Sequence, residues 1–217
     1  SNGQDKSFLP IENNKFIVSA IDCTGHGVPG AFMSMIGNNL MFEAVNNGIS
    51  KPDMILDFLN NGVRRSLNQD KTENKDGMDM SLCVINKYER KVEFASANNP
   101  MIYIQDDEVK TIHGDRKPVG GIQVDVHKSF SRHEITVDRP TCFYIFSDGY
   151  VDQFGGPRGR KMMLKNFAKI LQKIYKEPMQ KQAQLLDEHF EEWKGDKEKQ
   201  IDDVLVIGFK LDGSSVN

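Results

Sequence analysis

Three acidic positions stand where apolar segments, far apart in the sequence, begin or end. Asp22 and Asp148 each follow an apolar run, and the pair Asp202-Asp203 directly precedes one. A carboxylate at the end of a buried strand is costly unless something pairs with it, and a metal ion is one such partner. Because the ends of distant strands can meet at one edge of a sheet, these acids are candidates for a shared site.

The ligands that these acids offer are hard oxygens, which select magnesium, manganese or calcium over zinc or copper. Two such ions about 4 Å apart can lower the pKa of a shared water and hold a phosphate, so that a phosphate ester is hydrolysed without a protein nucleophile. The alternative is structural, because an Asp before a Gly commonly forms a turn. The joint placement of three acids at strand ends favours the metal site.

Composition excludes several other classes of protein. The chain has 217 residues and a net charge of −3, so it lacks the basic surface expected for binding nucleic acid or an anionic membrane. No apolar run approaches the roughly 18 residues of a membrane-spanning helix, and no signal peptide opens the sequence. Cys23, Cys83 and Cys142 lie far apart in apolar segments, which indicates reduced cysteines in a cytoplasmic protein.

The hydrophobic spacing predicts a strand, two helices, a run of strands, two helices and a final strand. Residues 1–14 are polar and loosely patterned, and the glycine-rich segment 155–161 is predicted to form a loop. This order favours an α+β fold of stacked antiparallel sheets with helices packed outside. The predicted strands are 16–21, 80–85, 92–97, 101–104, 109–112, 142–147 and 204–211, with looser alternation over 124–135, and the predicted helices are 31–45, 54–67, 163–174 and 179–193.

The segments around the acids also carry a family resemblance. Residues 22–34, Asp-Cys-Thr-Gly-His-Gly-Val-Pro-Gly-Ala-Phe-Met-Ser, resemble the first catalytic-core motif of SpoIIE-type phosphatases. These are the bacterial branch of the metal-dependent Ser/Thr protein phosphatases of type 2C. Residues 147–152 are similar to the second strand-end motif of that family and residues 202–208 to its closing motif. Residues 78–81, 98–100 and 118–120 resemble its intervening strands and turns, so that the match spans about 16–211.

The resemblance implies an antiparallel β-sandwich flanked by helices, in α-β-β-α layers, with two Mn²⁺ or Mg²⁺ ions at one end. Asp22 would bridge both ions, and the backbone carbonyl of Cys23 would bind one of them. Asp148 and Asp202 would complete the ligand set, with Asp203 the next candidate because the acid pair leaves the register open by one residue. A metal-activated water would then attack a phosphoserine or phosphothreonine. The resemblance assigns no substrate-binding residue.

One motif of that family is not recognisable in this sequence. The family has a Gly-Asp followed by aromatic residues on a strand before the first motif, and that acid is a metal ligand. Asp5 lies at a suitable distance, but residues 6–9, Lys-Ser-Phe-Leu, do not supply this strand. Either the chain begins inside its first strand or the strand has diverged. In the first case we expect this chain to bind metal weakly and to have little activity.

Three functions therefore stay open. The first is a phosphatase acting on a signalling phosphoprotein, the second is a pseudophosphatase or scaffold with an incomplete metal site, and the third is a two-metal phosphoesterase acting on a small molecule. We expect residues 1–217 to form a single phosphatase domain, the C-terminal part of a larger signalling protein. The resemblance implies an anti-sigma-factor antagonist as a substrate, with an N-terminal sensor (which could attach the parent protein to a membrane) and a homodimer as partners.

Two further features have both a functional and a structural interpretation. His26 lies between two glycines near Asp22, so it could act as an acid or simply pack in the loop. Arg158, Arg160 and Lys161 could grip a phosphorylated partner, or the loop that carries them could be a solvated surface segment.

Overall fold

The computed structural model describes residues 9–11, 15–25 and 27–213. The helices are α1 (Gly27–Asn46), α2 (Pro52–Ser66), α3 (Gly149–Asp152), α4 (Leu164–Ile174) and α5 (Met179–Lys194). The strands are β1 (Leu9–Ile11), β2 (Lys15–Cys23), β3 (Gly77–Asn86), β4 (Lys91–Ala97), β5 (Met101–Gln105), β6 (Glu108–Ile112), β7 (Val119–Gly120), β8 (His133–Thr136), β9 (Thr141–Phe146), β10 (Phe154–Gly155), β11 (Arg160–Lys161) and β12 (Val206–Leu211). The chain divides into two compact units, of which the second comprises Pro100–Ile112 and Asp138–Gly213.

The first unit contains a six-stranded antiparallel sheet in the order β1-β2-β3-β4-β8, with β7 paired to the start of β3. Helices α1 and α2 pack against each other and contribute buried side chains to the same core as the sheet. Helix α2 begins with Pro52 at its first turn, where the missing N–H costs nothing. Its apolar residues Ile55, Leu59 and Val63 recur at helical spacing and are fully buried. The burial of these side chains stabilises the packing of α2 in the core of the first unit.

The second unit contains a four-stranded antiparallel sheet in the order β12-β9-β5-β6. Its inner strand β9 is buried along its whole length, as the apolar run from Cys142 to Phe146 predicts. Helices α4 and α5 cover this sheet with side chains such as Phe167, Leu171 and Phe190, which share one core with Tyr144 and Tyr150. The short hairpin β10–β11 joins α3 to α4.

The observed elements confirm the predicted α+β class, with antiparallel sheets and helices. The predicted loop over 155–161 is wrong in part, because β10 and β11 pair there. A short strand for which the sequence makes no prediction, β1, pairs with β2, with Leu9 opposite Ile17. The loose alternation over 124–135 yields only the short strand β8. The last strand begins at Val206, two residues later than predicted.

Two properties of the whole described chain bear on its class. Among the helices that the structure describes, none is both long and apolar enough to cross a membrane. The three cysteines are free, as their spacing predicts. Burial raises the pKa of the Cys83 thiol far above its ordinary value, which makes this residue an inert part of the core.

Candidate metal centre

Asp22 occupies the next-to-last position of β2 in the first unit, directly opposite Asp79 of β3. Side chains of directly opposed residues lie on the same face of an antiparallel pair, and like charges in that position destabilise the sheet. Both acids are half-buried, and Asp79 is the only residue of β3 that is not fully buried. A cation or a shared proton would relieve the repulsion within this pair.

Asp79 is not among the candidate acids that the sequence predicts, although it lies in the family-like segment 78–81. Burial raises the pKa of Asp79 above its ordinary value, and a hydrogen bond donated by Asn98 Nδ2 (2.7 Å) partly opposes that rise. The sequence signal for this acid is its position between two buried methionines of β3. The structure adds Asp79 to the acids near Asp22.

The turn after β2 is fixed by bonds to the start of β3. The Thr24 N–H donates to the Gly77 carbonyl (3.0 Å), and the Gly77 N–H donates to Thr24 Oγ1 (2.9 Å). Gly25 has a φ of +86°, and a Cβ on Gly30 would lie 2.6 Å from the Gly25 carbonyl oxygen. Only glycines at these two places let the first turn of α1 approach the end of β2 so closely.

Asp148 and Asp202, two of the candidate acids from the sequence, lie close together in the second unit. A carboxylate oxygen of each lies within 4.8 Å of one of the other, and both side chains are exposed. Asp148 lies between β9 and the one-turn helix α3, whereas Asp202 lies four residues before β12. Among the described residues, the cluster of acids that could share a cation with Asp148 contains Asp202 and not Asp203. This favours Asp202 as the candidate ligand.

Ser147 holds the segment that carries Asp202 beside the end of β9. Its N–H donates to the Leu205 carbonyl, and its Oγ accepts from the Leu205 N–H, both at 3.0 Å. The same Oγ donates to the Asp203 carbonyl (3.0 Å). A Cβ on Gly149 would lie 2.3 Å from that carbonyl oxygen, so only glycine fits there. The buried Ser147 hydroxyl replaces ladder bonds, which explains why β12 starts later than predicted.

The donor chemistry of these residues fits Mg²⁺ or Mn²⁺. Asp22, Asp148 and Asp202 offer carboxylate oxygens, and Cys23 offers a backbone carbonyl at the end of β2. The Cys23 thiol accepts a hydrogen bond from Ser34 Oγ (3.6 Å), and burial raises its pKa, so it is not prepared to bind a soft metal as a thiolate. Hard oxygen donors at half-exposed strand ends suit cations that keep part of their water shell.

The remaining candidates differ in what the structure says of them. His26 and Asp5 lie outside the described residues. Lys161 donates to Asp152 Oδ2 (2.6 Å), so its charge is already paired. Arg158 and Arg160 are exposed on the β10–β11 hairpin. This hairpin, α4 and α5 line a groove of about 800 Å³ within the second unit.

Comparisons with known proteins agree with the fold and the motifs. The family model described as Stage II sporulation protein E (SpoIIE) matches residues 12–212. The solved SiaA-PP2C domain of Pseudomonas aeruginosa is 26% identical with a TM-score of 0.83, over 94% of this chain and 80% of that one. The PP2C phosphatase domain of SpoIIE from Bacillus subtilis, solved with a fragment of its regulatory domain, is 16% identical with a TM-score of 0.72, over 93% of this chain and 56% of that one. RsbX in complex with magnesium is 16% identical with a TM-score of 0.60, over 93% of this chain and 83% of that one. No curated protein matches the sequence.

Proposed function

The chain belongs to the SpoIIE family of PP2C-type Ser/Thr phosphatases, and on that premise we propose that it hydrolyses phosphoserine or phosphothreonine on a signalling phosphoprotein. The observation that carries this proposal is the close approach of Asp148 and Asp202, two acids 54 positions apart whose carboxylate oxygens lie within 4.8 Å. Two carboxylates at that distance repel each other, and a divalent cation between them would turn that repulsion into attraction. Residues 1–217 would form one phosphatase domain of a larger signalling protein.

The proposed ligand set joins Asp22, Asp148, Asp202 and the carbonyl of Cys23 around two divalent cations. When bound, Mn²⁺ or Mg²⁺ would neutralise phosphate charge and lower the pKa of a coordinated water. The magnesium complex of the structurally similar RsbX supports this choice of metal. The protein would hold these ligands in place through two sets of hydrogen bonds. Thr24 fixes the turn after β2, and Ser147 fixes the segment that carries Asp202.

A phosphatase assay on a phosphoserine peptide with Mn²⁺ tests the proposal. We expect Asp22→Asn and Asp148→Asn each to lower kcat/KM at least about 100-fold, because each removes a charged ligand. The control is Asp187→Asn, which changes an exposed acid on α5 and should leave turnover unchanged. Absence of turnover at any metal concentration would instead support a scaffold, and preference for a sugar phosphate would support a small-molecule phosphoesterase.

Whether the first acid of the family motif precedes this sequence or has diverged needs a separate experiment. Calorimetric titration with Mn²⁺ would compare this chain with one that carries further native residues at its N-terminus. We expect the extended chain to bind more tightly or with more sites. Equal tight binding by both chains would contradict the idea that the chain begins inside its first strand.

Helix α1 supports a proposal about partners. It is apolar on nearly every side, and Val28, Phe32, Met35 and Phe42 are exposed. Exposed apolar area of this kind commonly marks a protein interface. We propose that this face meets an attached sensor domain or a second copy of the chain. Light scattering on the double variant F32S/F42S of the full protein should show a weaker assembly if α1 mediates it.

The family resemblance and the free cysteines support proposals about the substrate and the cellular location. We propose a small phosphoprotein such as an anti-sigma-factor antagonist as the substrate, since the family resemblance implies one. The three free cysteines support a cytoplasmic location. Incubating the phosphorylated antagonist with the protein and Mn²⁺, followed by mass spectrometry, would show whether it loses its phosphate.

A further inference from the structure

Gln153 is a polar residue in the fully buried interior of the second unit, with no exposed surface. It directly follows α3, the one-turn helix that begins after Asp148. Burying an amide side chain is unfavourable unless its donors and its acceptor are all used. Its hydrogen bonds therefore show what this residue holds together.

The Gln153 side chain binds the backbone on both sides of the candidate site. Its Nε2 donates to the carbonyls of Phe154 and Lys199, both at 3.0 Å, and its Oε1 accepts from the N–H of Ile201 (3.4 Å). Lys199 and Ile201 lie three and one residues before Asp202. One side chain thus connects the turn after Asp148 to the segment that ends in Asp202.

The Gln153 backbone is itself fixed in place by α5. Its carbonyl accepts a hydrogen bond from Trp193 Nε1 (3.0 Å) and one from the Met162 N–H (3.0 Å). The Gly156 N–H donates to the Trp193 carbonyl (2.7 Å), and a Cβ on Gly155 would overlap that carbonyl oxygen at 1.9 Å. The hairpin and the end of α5 therefore lock together around Gln153.

The segment 199–203 depends on such side-chain bonds because it lies outside the sheet. The β9–β12 ladder starts only at Val206, opposite Phe146. Ser147 holds this segment at Asp203, after Asp202, and Gln153 holds it at Lys199 and Ile201, before Asp202. The backbone around Asp202 is therefore held by two buried polar side chains, Gln153 before it and Ser147 after it.

We propose that Gln153 is a positioning residue that sets the location of the Asp202 carboxylate and, through it, the affinity of the site for a divalent cation. This inference rests on the proposed function, because it takes Asp202 as a metal ligand. Gln153 does not touch the metal; its effect is transmitted through the backbone of residues 199–201. Residues that orient metal ligands in this way typically change affinity 10- to 100-fold when mutated.

The test is the affinity of Gln153→Met for Mn²⁺ alone, measured by calorimetry, because methionine fills a similar volume and makes none of the three bonds. We expect binding at least about 10-fold weaker than that of the wild type. Circular dichroism and a thermal melt would verify that each variant is folded.

The matched control is Gln182→Met. Gln182 is equally buried in the same unit, and its Nε2 donates to the carbonyls of Tyr175 (3.0 Å) and Glu177 (2.7 Å) in the turn between α4 and α5. Its loss should lower the melting temperature as much as the loss of Gln153, with no change in Mn²⁺ affinity. A metal effect confined to Gln153 would separate positioning from general stability.

Two results would overturn the inference alone. One is a folded Gln153→Met variant that binds Mn²⁺ as tightly as the wild type, and the other is an equal loss of affinity in Gln182→Met. If Gln153→Met does not fold, Gln153→Asn, whose amide is one methylene too short to reach Lys199, serves under the same expectations. A wild-type protein that binds no Mn²⁺ would instead overturn the proposed function, and this inference with it.

Discussion

Replacing Gly149 with alanine tests the close packing that places Asp202 beside Asp148. A Cβ on Gly149 would lie 2.3 Å from the Asp203 carbonyl oxygen and 2.9 Å from its carbon. Since Cβ atoms essentially never approach closer than 3.0 Å, the Asp203 backbone must move by about 0.7 Å or more. A displacement of about 1 Å in a catalytic group can cost about 100-fold in rate, so we expect kcat/KM to fall by about 10- to 100-fold.

The assay is kcat/KM on a phosphoserine peptide at several Mn²⁺ concentrations, together with a thermal melt. Overpacking should also destabilise the variant by about 1–3 kcal/mol, partly offset by the better helix propensity of alanine in α3. Gly208→Ala is the control, because its Cβ would meet side chains rather than backbone, the Tyr144 ring at 3.3 Å and Met179 Sδ at 3.5 Å. Wild-type kcat/KM and metal dependence in Gly149→Ala would refute the reasoning, because the backbone contact would then have no influence on the site.

Three further predictions concern the ligand, the electrostatics and the core. Asp202→Asn should weaken Mn²⁺ binding in calorimetry by at least about 10-fold more than Asp203→Asn, because Asp202 is the acid that lies near Asp148. Equal effects of the two substitutions would contradict the assignment of Asp202 as the ligand. Burial lowers the pKa of Lys117 below its ordinary value of 10.5, so the unfolded chain binds more protons just below pH 10.5. Stability should therefore rise with pH in that alkaline window, and denaturant titrations should show a smaller rise in Lys117→Met. Tyr150→Phe removes a buried hydrogen bond to the Leu186 carbonyl (2.9 Å) and should cost about 1–2 kcal/mol in urea unfolding, whereas no loss would mean that water satisfies that carbonyl.

The regular elements could be predicted because their residues follow the period of the structure they adopt. The run from Cys142 to Phe146 in β9 is apolar, and every residue of that strand is buried. Phe167, Leu171 and Ile174 of α4 recur at helical spacing, and all three face the core. Hydrophobic periodicity reports which face of an element is buried, so it succeeds where burial alone decides the structure.

The missed features are those in which hydrogen bonds, rather than burial, decide the structure. Nothing in the hydrophobic pattern shows that the Ser147 hydroxyl takes the place of ladder bonds, so β12 was predicted two residues too long. The β10–β11 hairpin spans two residues on each side, too few for any period to appear. Gln153 looks like an ordinary polar residue of a loop, because its burial depends on α5, which comes much later in the chain.

The candidate acids could be found from the sequence because each stands where an apolar run begins or ends, but their neighbours could not. Asp79 interrupts a buried strand and lies opposite Asp22 only because β2 and β3 pair in one particular register. A shift of that register by one residue would place the two side chains on opposite faces of the sheet. The pairing of strands, rather than local sequence, thus determines which acids become neighbours.

Each of the two units carries a pair of acids that destabilises it. In the first unit Asp22 faces Asp79 across two strands, and in the second Asp148 and Asp202 lie within 4.8 Å. Like charges at such distances repel each other and oppose folding, and chains retain them where a site requires it. The buried bonds of Ser147 and Gln153 offset that repulsion in the second unit by fixing the backbone on both sides of Asp202. In the proposed site, Asp148 and Asp202 are held before any cation arrives. The entropy cost of ordering them is then met on folding rather than on binding, which is how a preorganised site gains affinity.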